Sequence, residues 1–171
     1  MFTNYSIFDE YSKFIQQMKY KRLSIEELKE LEKEFIHFLA AAQITGPDWE
    51  VMKVKEPERT EELIDVFSDM VFDKVLSKIR YLEYRDEKML TIFHCQPDRI
   101  TLSGITVKEG SSMNLLTPGV FKTWNKNDAA NVNIIKSERY YLKEREMEVF
   151  ELLQSGCMIT DDFLFNLLVN L

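Results

Sequence analysis

MLTIFHC-QPD-RITLSGITV, residues 89–107, is the stretch on which the fold of this chain turns. Met89–Cys95 and Arg99–Val107 are rich in β-branched and aromatic residues. Gln96-Pro97-Asp98 between them has the composition of a turn, so the stretch reads as a β-hairpin. In the second run Ile100 and Leu102 share one face, whereas Ile105 and Val107 take the other. That slip of phase at Ser103-Gly104 predicts a β-bulge. A lone hairpin is marginally stable in water, so a third strand is required. Val132–Lys136 is the best candidate, ahead of Val120–Trp124.

Outward from the hairpin the patterns are helical. Ser24 and Glu27 form a capping box ahead of a stripe of Leu28, Leu31, Phe35, Phe38 and Leu39, which predicts a helix to about Gln43. Thr45-Gly46-Pro47-Asp48 reads as a turn, with Trp49 and Met52 on one short helical turn after it. Pro57 suits the first position of a long helix running to about Tyr84, with Ile64, Phe67, Val71, Val75, Ile79 and Leu82 as its apolar stripe. Residues 108–131, rich in Ser, Asn, Gly and Lys, read as an irregular connection. A helix is expected from about Glu138 to Gln154, capped by Gly156. Thr160, Asp161 and Asp162 start a last helix that is apolar almost all round, which suits deep burial or coverage by a second subunit. The expected fold is α+β: four or five helices packed on a small, mostly antiparallel sheet centred on the 89–107 hairpin. Residues 18–171 form a single domain in this reading. Residues 1–17 read as an N-terminal extension, either a docking helix or a poorly ordered stretch ahead of a true start at Met18.

The composition sets bounds. The chain has 171 residues and a formal charge of −7, with 45% hydrophobic and 30% charged residues, which suits a globular domain. The acidic balance argues against nucleic acid as a partner, since phosphate binding needs clustered Lys and Arg, and Lys19, Lys21 and Arg22 are too small a cluster. No run approaches the length of a membrane span, and no signal peptide is visible. Cys95 and Cys157 make no disulfide framework and sit in apolar surroundings, which fits a reducing cytoplasm.

The chemistry-bearing residues are few. His94 and Cys95 are adjacent, but neighbours on a strand point to opposite faces, so His94 cannot serve Cys95 as a base or share a metal with it. His37 and Cys157 are isolated, and Ser155-Gly156-Cys157 reads as a helix cap. No Gly-rich phosphate loop or nucleophile elbow is present. The distinctive feature is a row of acids, Glu61, Asp65, Asp69 and Asp73, each four residues apart on the long helix. Like charges so spaced cost roughly 0.2–0.5 kcal/mol per pair, and no cation occupies a compensating helical position. The row reads as a solvated face, as one paired internally by Arg80 or by Lys or Arg of the 108–131 connection, or as a docking surface for a basic partner, with the first two favoured. In the docking reading, changing Asp65, Asp69 and Asp73 to Asn keeps or raises stability while abolishing capture.

Glu27 with Glu30, and Glu62 with Asp65, give E-x-x-E and E-x-x-D pairs that could hold Mg²⁺ between helices. Glu61-Glu62-Leu63-Ile64-Asp65-Val66 is similar to the second motif of the MazG-type all-α nucleotide pyrophosphohydrolases. That resemblance implies a Mg²⁺-dependent hydrolase using Glu27, Glu30, Glu62 and Asp65, although a β-hairpin follows here where that family continues with helices. A broader resemblance is carried by Met18–Leu23, Asp48-Trp49, Phe67-Ser68-Asp69 through Leu76, Phe93-His94-Cys95 and Ser155-Gly156-Cys157. These stretches resemble a family of small bacterial proteins known only as a domain of unknown function. The resemblance implies a single-domain, bacterial, cytoplasmic protein and brings no activity, cofactor or catalytic residue. The expected function is a non-catalytic interaction or scaffold module with a protein partner, homodimeric through the 161–171 helix; the alternative is the Mg²⁺ hydrolase.

Overall fold

A computed structural model describes residues 18–171. The readings of residues 1–17 lie outside the described residues. The chain divides into two compact units, one ending at Asp73 and one from Lys74 to Leu171.

The first unit is helical. It contains α1 (Ile25–Glu30), α2 (Glu32–Ala41), α3 (Gly46–Lys55) and most of α4 (Pro57–Leu76). The capping box at Ser24 and Glu27 forms as expected, with a one-residue interruption at Leu31 dividing α1 from α2. The Thr45–Asp48 stretch, expected as a turn, instead starts a ten-residue helix. Thr45 Oγ1 accepts the Asp48 N–H while the Asp48 carboxylate accepts the Thr45 N–H, and Pro47 lies in the first turn, where its missing donor costs nothing. Phe67 of α4 is fully buried and meets Phe35 and Phe38 of α2, with ring centroids 4.9 and 5.5 Å away. Trp49 of α3 packs edge-on to Phe35 at 5.2 Å. Such aromatic contacts add to the area they bury.

The second unit is built on an antiparallel sheet: β1 (Tyr81–Arg85), β2 (Met89–Cys95), β3 (Arg99–Val107), β4 (Val132–Tyr140) and β5 (Met158–Thr160), in the order β4-β3-β2-β1-β5. With seven α-helices among the described residues, the fold is α+β as expected. The hairpin keeps its expected boundaries. The long helix ends at Leu76 rather than near Tyr84, because Tyr81–Arg85 pairs with β2, Leu82 opposite Phe93. Long-range ladder bonds there override a helical periodicity that is only local. The third strand runs on to Tyr140, so the following helix α6 (Arg145–Gln154) starts later than expected; Val120–Lys122 is a 3₁₀ turn. Between them lies the short α5 (Lys126–Ala130), so residues 108–131 are partly ordered by local structure. Gly156 takes a positive φ of 98° after α6, and the N–H groups of Gly156 and Cys157 return to Leu153 and Leu152, which is the expected glycine cap.

The expected bulge is absent. Register between β2 and β3 is unbroken from Met89 opposite Thr106 to Cys95 opposite Ile100. The hydrophobic pattern changes phase because the sheet is buried on both faces. Ile105 lies with Leu90, Ile92 and Val132 under Leu115, Phe121 and two residues of the last helix α7 (Phe163–Val169); Leu82, Cys95 and Ile100 are buried on the other face. Gly104 serves a close approach instead: a Cβ there would stand 2.7 Å from the Leu90 carbonyl oxygen. The α7 residues in that core are Leu164 and Leu168, so this part of the last helix is used within its own chain. Among the described residues no helix is long and apolar enough to cross a membrane.

Candidate functional site

The acid row of α4 is met by residues 19–23, which run antiparallel to the helix alongside it. Lys19 donates from its backbone N–H to Asp69 Oδ2 at 2.8 Å, and from Nζ to Asp73 Oδ1 at 2.8 Å. Tyr20 donates its N–H to Asp69 Oδ1 at 3.1 Å and its hydroxyl to Asp73 Oδ1 at 2.5 Å. Arg22 reaches Asp65 through Nε at 2.5 Å and Glu61 through a terminal nitrogen. The segment ends on Leu23, whose N–H donates to Ser68 Oγ at 3.1 Å; Ser68 in turn donates to the Ile64 carbonyl. Lys21 lies over the Phe72 ring at 5.6 Å, and the Tyr20 ring packs on Phe72 at 5.7 Å.

All four acids are thus engaged from within the chain. The like-charge cost along the helix is met by two cations, a hydroxyl and two backbone amides. Burial works to raise the Asp73 carboxyl, but the Lys19 ammonium and the Tyr20 hydroxyl outweigh it and hold the group below its usual range. For Tyr20 the order is reversed: burial and the Asp73 carboxylate push its hydroxyl well above the ordinary value.

Two carboxylates of the magnesium reading have partners within the chain. The Glu27 carboxylate accepts the Ser24 N–H at 2.7 Å in the helix cap, and Asp65 belongs to Arg22. Among the described residues, Glu27, Glu30, Glu62 and Asp65 included, no group of three or more His, Cys, Asp or Glu is placed to hold a metal ion.

His94 and Cys95 diverge as expected. The His94 ring stacks on Tyr81 at 4.5 Å and meets the edge of Phe165 at 5.2 Å. Burial, helped by the positive charge of Arg80, lowers its pKa. Cys95 is buried, and desolvation pushes its thiol up to about 11; Cys157 is raised for the same reason. Both thiols are free and protonated at neutral pH, which makes them poor nucleophiles.

A cleft of about 670 Å³ opens beside these residues, lined in part by Ser77, Arg80, Tyr81, His94 and Arg145. Arg145 is committed to the fold. Its guanidinium donates to the carbonyls of Gln96 at 3.1 Å, Leu76 at 3.1 Å, Cys95 at 3.0 Å and Ile79, and to the Glu146 carboxylate at 3.1 Å. All five of its N–H donors are spent. One side chain therefore ties the C-terminal end of α4 to the β2–β3 turn. Arg145 is the residue that sequence reasoning missed. Its one local signal is a cation in the first turn of a helix, where the macrodipole disfavours it.

Among the described residues β4 has a strand on one side only, and this edge of the sheet is a different kind of site. Lys108 N–H donates to the Asn131 carbonyl at 2.9 Å, in line with the β3–β4 register. Antiparallel bonding alternates, so Asn133, Ile135, Ser137 and Arg139 turn their backbone groups to β3. On the far side of β3, bonds from Val107 to Lys88 and from Gln96 to Arg99 keep the same alternation. The N–H and C=O groups of Ile134, Lys136 and Glu138 therefore point outward from an edge strand of nine residues, as does the N–H of Tyr140, whose carbonyl accepts from the Arg139 guanidinium at 3.2 Å.

The profile of a family of unknown function, DUF6495, matches residues 18–171. The chain belongs to that family. No curated protein and no solved structure matches it.

Proposed function

We propose that this member of a family of unknown function is a non-catalytic protein-interaction module that engages its partner by strand addition at β4. The observation that carries the reading is the β4 edge, unpaired among the described residues, whose outward backbone groups recur at every second residue from Ile134 to Glu138 and end on the N–H of Tyr140. A long exposed edge is a template for a further strand unless something blunts it. Several chemical groups elsewhere are spent on structure: the acid row on residues 19–23, Arg145 on carbonyls, both thiols on the interior. The reading includes a bacterial cytoplasmic setting, supported by two free, buried thiols and by the family resemblance drawn from the sequence.

Lys136→Pro tests it. Proline at an outward edge position removes one exposed donor and none of the β3 ladder bonds. In lysate of the native cell the wild-type protein is expected to migrate above its monomer mass and the folded variant at monomer mass. Identical migration of the two overturns the reading.

A further inference from the structure

We propose that the strand added at β4 is β4 of a second copy, paired antiparallel about a two-fold axis through Ser137. This rests on the reading of β4 as the docking edge and names its partner.

Strands that meet through outward groups must pair outward residue with outward residue, which restricts a two-fold pair to axes centred on a residue. Charge then separates the registers centred from Ile135 to Glu138, which keep the most residues paired. An axis at Lys136 sets Lys136 against itself, and one at Glu138 sets Glu138 against itself. An axis at Ile135 sets Lys136 against Ile134 and Glu138 against Val132, leaving both charges without a partner across the seam. An axis at Ser137 sets Lys136 of each copy against Glu138 of the other and Ile134 against Tyr140. Opposite charges and an aliphatic–aromatic pair are both favourable across a ladder, and like charges directly opposite are not.

The side chains suit this register. Ile134 is 43% exposed and Tyr140 66% exposed, so each has apolar surface to lose. Glu138 already takes Arg99 at 3.1 Å, and a second cation from the other copy would extend that pair into a row of alternating charge. Lys136 donates to the Val169 carbonyl at 2.8 Å and keeps two further donors for the seam. The two sheets would join into one continuous antiparallel sheet with β4 no longer at an edge.

The test uses charge reversal on the purified full chain, read by sedimentation across micromolar concentrations, with circular dichroism to confirm folding. Wild type is expected to dimerise. Lys136→Glu and Glu138→Lys should each weaken the dimer about ten-fold or more. The double variant, which restores opposite charges across the seam, should recover it. As an independent reading, Ser137→Cys should cross-link to itself under mild oxidation, because residues on the axis face each other at roughly 4.5 Å; Asn133→Cys should not. A wild-type protein that stays monomeric, a dimer indifferent to reversal, or cross-linking equal at both positions overturns the proposal. If purified protein is monomeric while the lysate species still vanishes with Lys136→Pro, the partner is a different protein and only the self-pairing fails. If Lys136→Pro leaves the lysate species unchanged, strand addition itself fails.

Discussion

Tyr20 donates its backbone N–H to Oδ1 of Asp69, and Lys19 gives its own to Oδ2 of the same carboxylate, at 3.1 and 2.8 Å. One side chain thus receives two consecutive amides, each oxygen taking one. The row reads in sequence as a set of repelling charges that Asn would relieve. The contacts of Asp69 give the opposite expectation. Relief of like-charge repulsion is worth a few tenths of a kcal/mol per pair, whereas orphaning an amide costs about 1–3 kcal/mol. Asn offers one acceptor oxygen where Asp offers two, so Asp69→Asn should lower stability by about 1–2 kcal/mol in urea denaturation. Unchanged or increased stability would show that residues 19–20 are not held by Asp69.

Acidification should act through Asp73 and Glu148. Burial tends to raise the Glu148 carboxyl, but Arg139 and the N–H groups of Lys143 and Leu142 hold it below the ordinary range. Asp73 is depressed by Lys19 and Tyr20 against its own burial. Both folded-state values lie under the unfolded ones, so the unfolded chain binds more protons in acid. Their contribution is complete above the unfolded values near pH 4 and is lost as pH falls through the folded values. The urea midpoint should therefore fall below about pH 4. Glu148→Gln should shrink that acid limb and cost about 1–3 kcal/mol at neutral pH. An acid limb unaltered in the variant would remove Glu148 from the account.

Arg145 should tolerate no substitute. Arg145→Lys keeps the charge but replaces a planar fork of five donors by three on one nitrogen. Several of the carbonyls of Leu76, Ile79, Cys95 and Gln96 would lose their donor, a loss of about 3 kcal/mol or more. Thermal unfolding of the Lys variant at the wild-type midpoint would refute the clasp.

Gly104 is set by its neighbour. Gly104→Ala places a methyl 2.7 Å from the Leu90 carbonyl oxygen and 3.2 Å from Thr91 Oγ1, with backbone on one side and a buried side chain on the other. The strands must part or the residue must shift, and a loss of about 1–3 kcal/mol is expected. A neutral alanine in chemical denaturation would mean that the β2–β3 spacing can relax at no cost.

What the sequence determined by itself was local. The capping box at Ser24, the glycine cap at Gly156 and the hairpin at 89–107 depend on residues a few positions apart, and each formed where its pattern stands. The acid row was visible, and so was the cluster Lys19, Lys21 and Arg22. Their union was not, because nothing in periodicity says that two segments about forty or more residues apart lie side by side. Tyr81–Arg85 carries a helical stripe as readily as a strand, and only pairing with β2 on one side and β5 on the other chose between them. The phase change at Ser103-Gly104 was read as a bulge since one sequence cannot show that both faces of a sheet are covered. Tertiary structure decided those points because backbone ladders and the hydrogen bonds between residues 19–23 and the acid row draw on distant residues, and their summed free energy exceeds the tenths of a kcal/mol that local preference supplies.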